Sequence, residues 1–125
     1  MKKIITYGTF DTFHFGHLEL LSRAASLGDH LTVGLSSDPF NQEKNKQSKF
    51  NFEKRKSWLE KIKCVDQIIS EDNWQQKTSD ILKYNIDALV MGSDWIDKFD
   101  YLSNLCEIIY LPRTEGVSST EIKKL

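Results

Sequence analysis

Ile4-Ile5-Thr6-Tyr7-Gly8-Thr9-Phe10-Asp11-Thr12-Phe13-His14-Phe15-Gly16-His17-Leu18 is where the chain turns from one kind of periodicity to another. Ile4, Ile5 and Tyr7 make an apolar run too short for a helix, which reads as a strand. Leu18, Leu20, Leu21, Ala24, Ala25 and Leu27 then recur at helical spacing, so a helix starts near Gly16. The unpaired N–H groups and the positive dipole end of such a helix point back over the strand end, which seats an anion. The dipole itself contributes roughly 0.3 to 1 kcal/mol per charge. His14 and His17 lie at i and i+3 on one face of the first turn and can both donate to oxygens of one phosphate chain. Gly16 leaves room for a ligand to approach the backbone.

Two other readings compete for these histidines. Either alone is ordinarily a packing or surface residue, but both lie in a strand-to-helix connection between glycines, where Rossmann-like sheets bind ligands. A zinc site is disfavoured, because His-x-x-His lacks the i, i+4 spacing of zincins and has no adjacent third ligand.

With 125 residues, 39% hydrophobic and 28% charged, the chain has the composition of one folded domain, expected to span residues 1–125. A formal net charge of -1 gives no global argument for nucleic-acid binding, so an anion site must come from local placement. Cys64 and Cys106 are far apart and match no paired metal spacing; buried, reduced thiols are expected. The apolar run after Met1-Lys2-Lys3 ends by Thr6, too short for a targeting or spanning segment, and a cytoplasmic protein without membrane insertion is expected.

Farther along, Gly28 fits a helix C-cap and His30 to Ser36 reads as a second strand. Asp38 to Asn51 is polar and reads as a long mobile loop, followed by a helix from Phe52 to Lys63. Asp66 to Ser70 is a strand candidate, Trp74 to Tyr84 a helix, Ala88 to Met91 a buried strand ending at Gly92, and Cys106 to Leu111 the last strand, stopped by Pro112. Strands alternating with helices predict an α/β fold: a single Rossmann-like domain whose parallel sheet is flanked by helices. Ligands in such sheets gather at the carboxyl ends of strands, so Gly8–His17, Gly92–Lys98 and Arg113–Thr120 should meet there.

In Arg113-Thr114-Glu115-Gly116-Val117-Ser118-Ser119-Thr120-Glu121, Ser118 and Glu121 have the spacing of a capping box, so a short helix starts there with free N–H groups. Arg113 can bind a phosphate through two parallel hydrogen bonds, and Gly116 lets the loop turn. Spacing does not select Lys44, Lys46 or Lys77, since lysines are usually solvated. Trp74 and Trp95 read as packing residues, and Arg55 as a ligand support or a helix-surface residue.

Taken together, Gly8 to His17 with its HxGH core resembles the nucleotidyltransferase signature, and Arg113 to Thr120 resembles the second signature of cytidylyltransferases. The resemblance is closest to the glycerol-3-phosphate cytidylyltransferase family and runs along essentially the whole chain, through Lys44, Lys46, Arg55, Trp74, Lys77, Asp94-Trp95 and Tyr110-Leu111-Pro112. It implies transfer of a cytidylyl group from CTP to sn-glycerol 3-phosphate, giving CDP-glycerol and pyrophosphate with Mg²⁺ on the triphosphate. It implies that Thr9, Phe10, His14, Phe15, Gly16 and His17 line the CTP site. Lys46 and Arg113, Thr114, Glu115, Gly116, Val117, Ser118, Ser119 and Thr120 would hold the triphosphate. His14, His17, Lys46 and Arg113 would be the catalytic groups, and Lys44 and Lys77 would bind the acceptor. It further implies a homodimer and a product destined for teichoic acid or capsule polymers. Metal ligands are unassigned, with Asp11 and Asp94 as candidates. Ser93 and Asp97 stand where that family tends to have Asp and Gly, and Ser119 where it tends to have Thr. The alternatives are a cytidylyltransferase or adenylyltransferase for another phosphorylated alcohol, and a nucleotide-binding sensor without turnover.

Overall fold

The computed structural model describes residues 1–11, 15–44 and 48–112. Five strands form one parallel sheet: β1 (Lys3–Gly8), β2 (His30–Ser36), β3 (Gln67–Glu71), β4 (Ala88–Gly92) and β5 (Glu107–Leu111). Their order in space is β3-β2-β1-β4-β5. The helices are α1 (Phe15–Ala25), α2 (Asp38–Glu43), α3 (Phe52–Glu60) and α4 (Gln76–Lys83), with short 3-10 turns at Ser93–Trp95 and Asp100–Leu102. The Rossmann-like expectation holds. Order reverses beside β1, which is where such a sheet leaves a crevice for ligand.

Alternation along the strands divides the core in two. Ile4, Leu31, Val33, Leu35, Ala88 and Val90 pack with Leu21 and Ala24 of α1 and Leu59 of α3 on one face. Ile5, Tyr7, Leu89 and Met91 pack with Ile81 of α4, Phe99 and Leu102 on the other. Side chains that alternate every second residue are what a sheet covered on both faces requires.

The sequence reading places β2 at its observed limits and the remaining strands within a residue or two. It misses α2, which lies inside the stretch expected as a loop. Ser37 caps that helix by accepting from the Phe40 N–H at 3.2 Å, and Pro39 sits in its first turn, where no N–H is needed. Gly28 also has a different reason from the one expected. Its place in the chain is fixed by close approach, since a Cβ there would meet the Lys2 carbonyl oxygen and Ile4 Cγ1, each at 2.7 Å. Both cysteines are free and half-buried rather than buried, with burial raising each thiol's pKa. The capped helix expected from Ser118 lies outside the described residues.

Candidate active site

The carboxyl ends of four neighbouring strands build the site. Parallel register sets Ser36 beside Glu71 and Gly8 beside Leu35, while Met91 and Gly92 end β4 on the other side of β1. From these ends opens a pocket lined by Tyr7, Gly8 and Thr9 of the first strand and its exit, Lys44, Glu71 and Lys77, and the apolar wall of Trp74, Met91, Trp95 and Phe99.

The exit from β1 is bent sharply. Phe10 has φ 50°, in the left-handed region that L-residues with a Cβ rarely adopt. Its ring is buried and meets the imidazole of His17 edge-on at 5.2 Å between centroids. Phe10 therefore orients His17, on the first turn of α1 together with exposed Phe15 and half-buried Gly16. Thr9 Oγ1 donates to Asn41 Oδ1 of α2 at 3.2 Å and accepts from Lys44 Nζ at 3.4 Å.

A continuous polar chain crosses the pocket floor. Lys44 Nζ donates to Ser36 Oγ at 2.8 Å, Ser36 Oγ donates to Glu71 Oε1 at 3.1 Å, and Lys77 Nζ donates to Glu71 Oε2 at 2.6 Å. The Lys77–Glu71 pair is almost completely buried, at 2% and 3% side-chain exposure. The Lys77 ammonium also faces the rings of Tyr7, Phe99 and Trp74 at 4.5, 5.0 and 5.6 Å. Lys44 sits 4.6 Å from the Phe40 ring. Trp74 packs on Phe40, and Trp95 on Phe99, so the two tryptophans are packing residues that also wall the pocket.

Behind Lys77 a second network holds Tyr7. Its hydroxyl donates to Asp80 Oδ2 at 2.9 Å, and Gln76 Nε2 donates to the same oxygen at 3.0 Å. Burial, then the Asp80 carboxylate, pushes the Tyr7 phenol far above its ordinary pKa, so it stays protonated. Gly34 of β2 makes this possible, because the Tyr7 ring occupies the space a Cβ there would need. At the opposite wall the Tyr110 hydroxyl accepts from the Phe99 N–H at 2.9 Å and donates to Asp100 Oδ1 at 2.9 Å, fixing Phe99 from outside.

Thr9, Phe10, Phe15, Gly16 and His17 thus cluster at one strand exit, and Lys44 and Lys77 open on the adjoining pocket. His14, Lys46 and Arg113 through Thr120 lie outside the described residues. Arg55 is not a surface residue: it is fully buried in α3 and donates to the carbonyls of Phe50, Thr9 and Ser36 and to Asp38. Asp11 is committed elsewhere, since its two oxygens accept from the Lys49 and Phe50 N–H groups. The sequence reading passed over Ser36 and Glu71, whose signal was a polar residue at the carboxyl end of a strand. Among the described residues no three His, Cys, Asp or Glu side chains gather into a metal cage. No helix among the described residues is long and apolar enough to cross a membrane.

The Cytidylyltransferase-like family model matches residues 5–125. The glycerol-3-phosphate cytidylyltransferase of Bacillus spizizenii is 59% identical over 124 residues, covering 99% of this chain and 96% of that protein. That of Staphylococcus aureus is 53% identical, covering 99% and 94%. A probable ethanolamine-phosphate cytidylyltransferase of Encephalitozoon cuniculi is 30% identical over 98% of this chain but only 40% of its own length. Among solved structures, a lipopolysaccharide core biosynthesis protein from Thermoplasma volcanium superimposes with a TM-score of 0.77 at 22% identity, covering 91% of this chain and 97% of that one, which speaks to the fold alone. The chain belongs to the cytidylyltransferase-like family, within its group of glycerol-3-phosphate cytidylyltransferases.

Proposed function

We propose that the protein transfers the cytidylyl group of CTP to sn-glycerol 3-phosphate, forming CDP-glycerol and releasing pyrophosphate. The observation that carries this reading is the strand exit at Thr9-Phe10: the Phe10 ring meets His17, while the Thr9 hydroxyl contacts Lys44 of the lysine-lined pocket. A nucleotide phosphate on the first turn of α1 and an acceptor phosphate beside Lys44 would therefore lie next to each other. The near-full-length identity to glycerol-3-phosphate cytidylyltransferases supports the choice of both substrates.

The acceptor phosphate is already anionic near neutral pH, so no side-chain base is required. One of its oxygens attacks the α-phosphorus of CTP in line as the bond to the bridging oxygen breaks and pyrophosphate leaves with that oxygen. Catalysis then rests on positioning and on donors placed where negative charge develops. His14 and His17 act at the α-phosphate, Lys46 and Arg113 with the 114–120 segment hold the β and γ phosphates, and Lys44 and Lys77 hold the acceptor. The helix N-terminus, on which His17 sits, adds its N–H groups to the same anion.

Mg²⁺, when bound, neutralises triphosphate charge. The donor set fits a cation held mainly by phosphate oxygens, because Mg²⁺ needs few protein ligands and keeps its waters. Asp94 lies in the turn that follows β4 and is a candidate to assist the cation. A homodimer and a cytoplasmic location complete the proposal, supported by the family resemblance; the product would enter teichoic acid or capsule polymers.

The test uses His14→Ala and His17→Ala with steady-state pyrophosphate release. Each should lower kcat by about a hundredfold or more, the usual effect of losing one donor to the transition state. Unchanged turnover in both would contradict the assigned roles. An adenylyl donor or another acceptor would show as preferential turnover with that pair.

A further inference from the structure

Three aromatic faces and a buried carboxylate around one point are the chemistry that recognises an ammonium ion. Tyr7, Phe99, Trp74 and Glu71 make such a box, and the ammonium in its centre belongs to the chain's own Lys77. We propose that Lys77 is the resident occupant of an ammonium-binding box, and that this occupancy sets acceptor specificity: phosphorylated alcohols without a positive charge are admitted and those bearing an ammonium are refused. The specificity claim rests on the pocket being the acceptor site; the box does not.

Charge and space both support it. Among the described residues the charged groups lining the pocket are Lys44, Lys77 and Glu71, and the buried Lys77 ammonium repels a second cation that approaches it. Lys77 fills the point where a choline or ethanolamine head would need to sit, so such an acceptor meets both a clash and a like charge in buried surroundings. Lys77 has three N–H donors and one goes to Glu71, which leaves donors for the hydroxyls of a neutral polyol. Removing the side chain beyond Cβ would vacate the box and leave Glu71 facing the three rings, with Lys44 still bound to Ser36. That is a site for an ammonium next to a site for a phosphate.

The experiment measures choline binding to the full-length Lys77→Ala protein by calorimetry and by the shift in Tm, then assays CTP-dependent turnover of glycerol 3-phosphate, ethanolamine phosphate and phosphocholine. Choline chloride, which carries no phosphate, should bind the variant and raise its Tm while leaving the wild type unmoved. Turnover of glycerol 3-phosphate should fall about tenfold or more relative to the ammonium-bearing acceptors. Because an unpaired Glu71 can prevent folding, the Lys77→Ala/Glu71→Gln protein is measured alongside, and it should bind choline more weakly than Lys77→Ala through the rings alone. Choline binding by the wild type, or its absence in both folded variants, overturns the proposal. If the variant binds choline while the wild type makes no CDP-glycerol, the acceptor assignment and the specificity claim fall together and the box stands.

Discussion

Arg55 joins the two strand exits that form the site. One guanidinium reaches Thr9 O at 2.9 Å, Ser36 O at 2.7 Å and Asp38 Oδ1 at 2.7 Å. Replacing it with Ala empties a fully buried site and removes the guanidinium from the Thr9 and Ser36 carbonyls, and urea unfolding should register a loss of about 3 to 5 kcal/mol. Arg55→Lys should recover little, since an ammonium cannot span the same fork. Tyr7→Phe should cost roughly 1.5 to 3 kcal/mol at neutral pH, the range for a hydrogen bond to a charged group. Because burial and Asp80 raise the Tyr7 phenol, the unfolded chain loses that proton first as pH rises. The stabilisation is thus complete below about pH 10 and declines above it, so the wild-type advantage over Tyr7→Phe should shrink in alkaline urea titrations. Asp97 stands at φ 67°, where a glycine is free of strain. Asp97→Gly should raise stability by about 0.5 to 1 kcal/mol, read by the same unfolding measurement. These roles were illegible in sequence because burial decides them: spacing cannot tell a helix-surface arginine from one that donates to two strand ends.

Elements were easier to read than their joints. β2 is legible because His30 to Ser36 is dense in β-forming residues and bounded by turns, and its burial on both faces matches. α2 is short and polar, so its periodicity carries no signal, and only the Ser37 cap and Pro39 mark its start. That helix matters to function because Asn41 and the C-capping Lys44 hang from it. Ser37→Ala removes the cap and should cost about 1 kcal/mol. If α2 positions Lys44, the same change should raise KM for the acceptor more than KM for CTP, which steady-state kinetics resolves. Equal changes in both would mean that α2 serves stability alone.

Across the whole molecule, the parallel order β3-β2-β1-β4-β5 brings residues 8, 36, 71 and 92 to one edge. The sequence predicts that Gly8–His17, Gly92–Lys98 and Arg113–Thr120 meet there, because alternation of strand and helix dictates where carboxyl ends gather; Gly8 and Gly92 lie at that edge, and Arg113–Thr120 falls outside the described residues. It does not predict the Lys44–Ser36–Glu71–Lys77 chain, which depends on register and on α2 folding back over the β2 exit. The central claim is that this edge joins CTP to glycerol 3-phosphate. It is tested most directly by incubating the full chain with Mg²⁺, each nucleoside triphosphate and a panel of phosphorylated alcohols, and identifying products by mass. CDP-glycerol and pyrophosphate from CTP with glycerol 3-phosphate are the predicted result; product from a different pair, with none from this one, would contradict it.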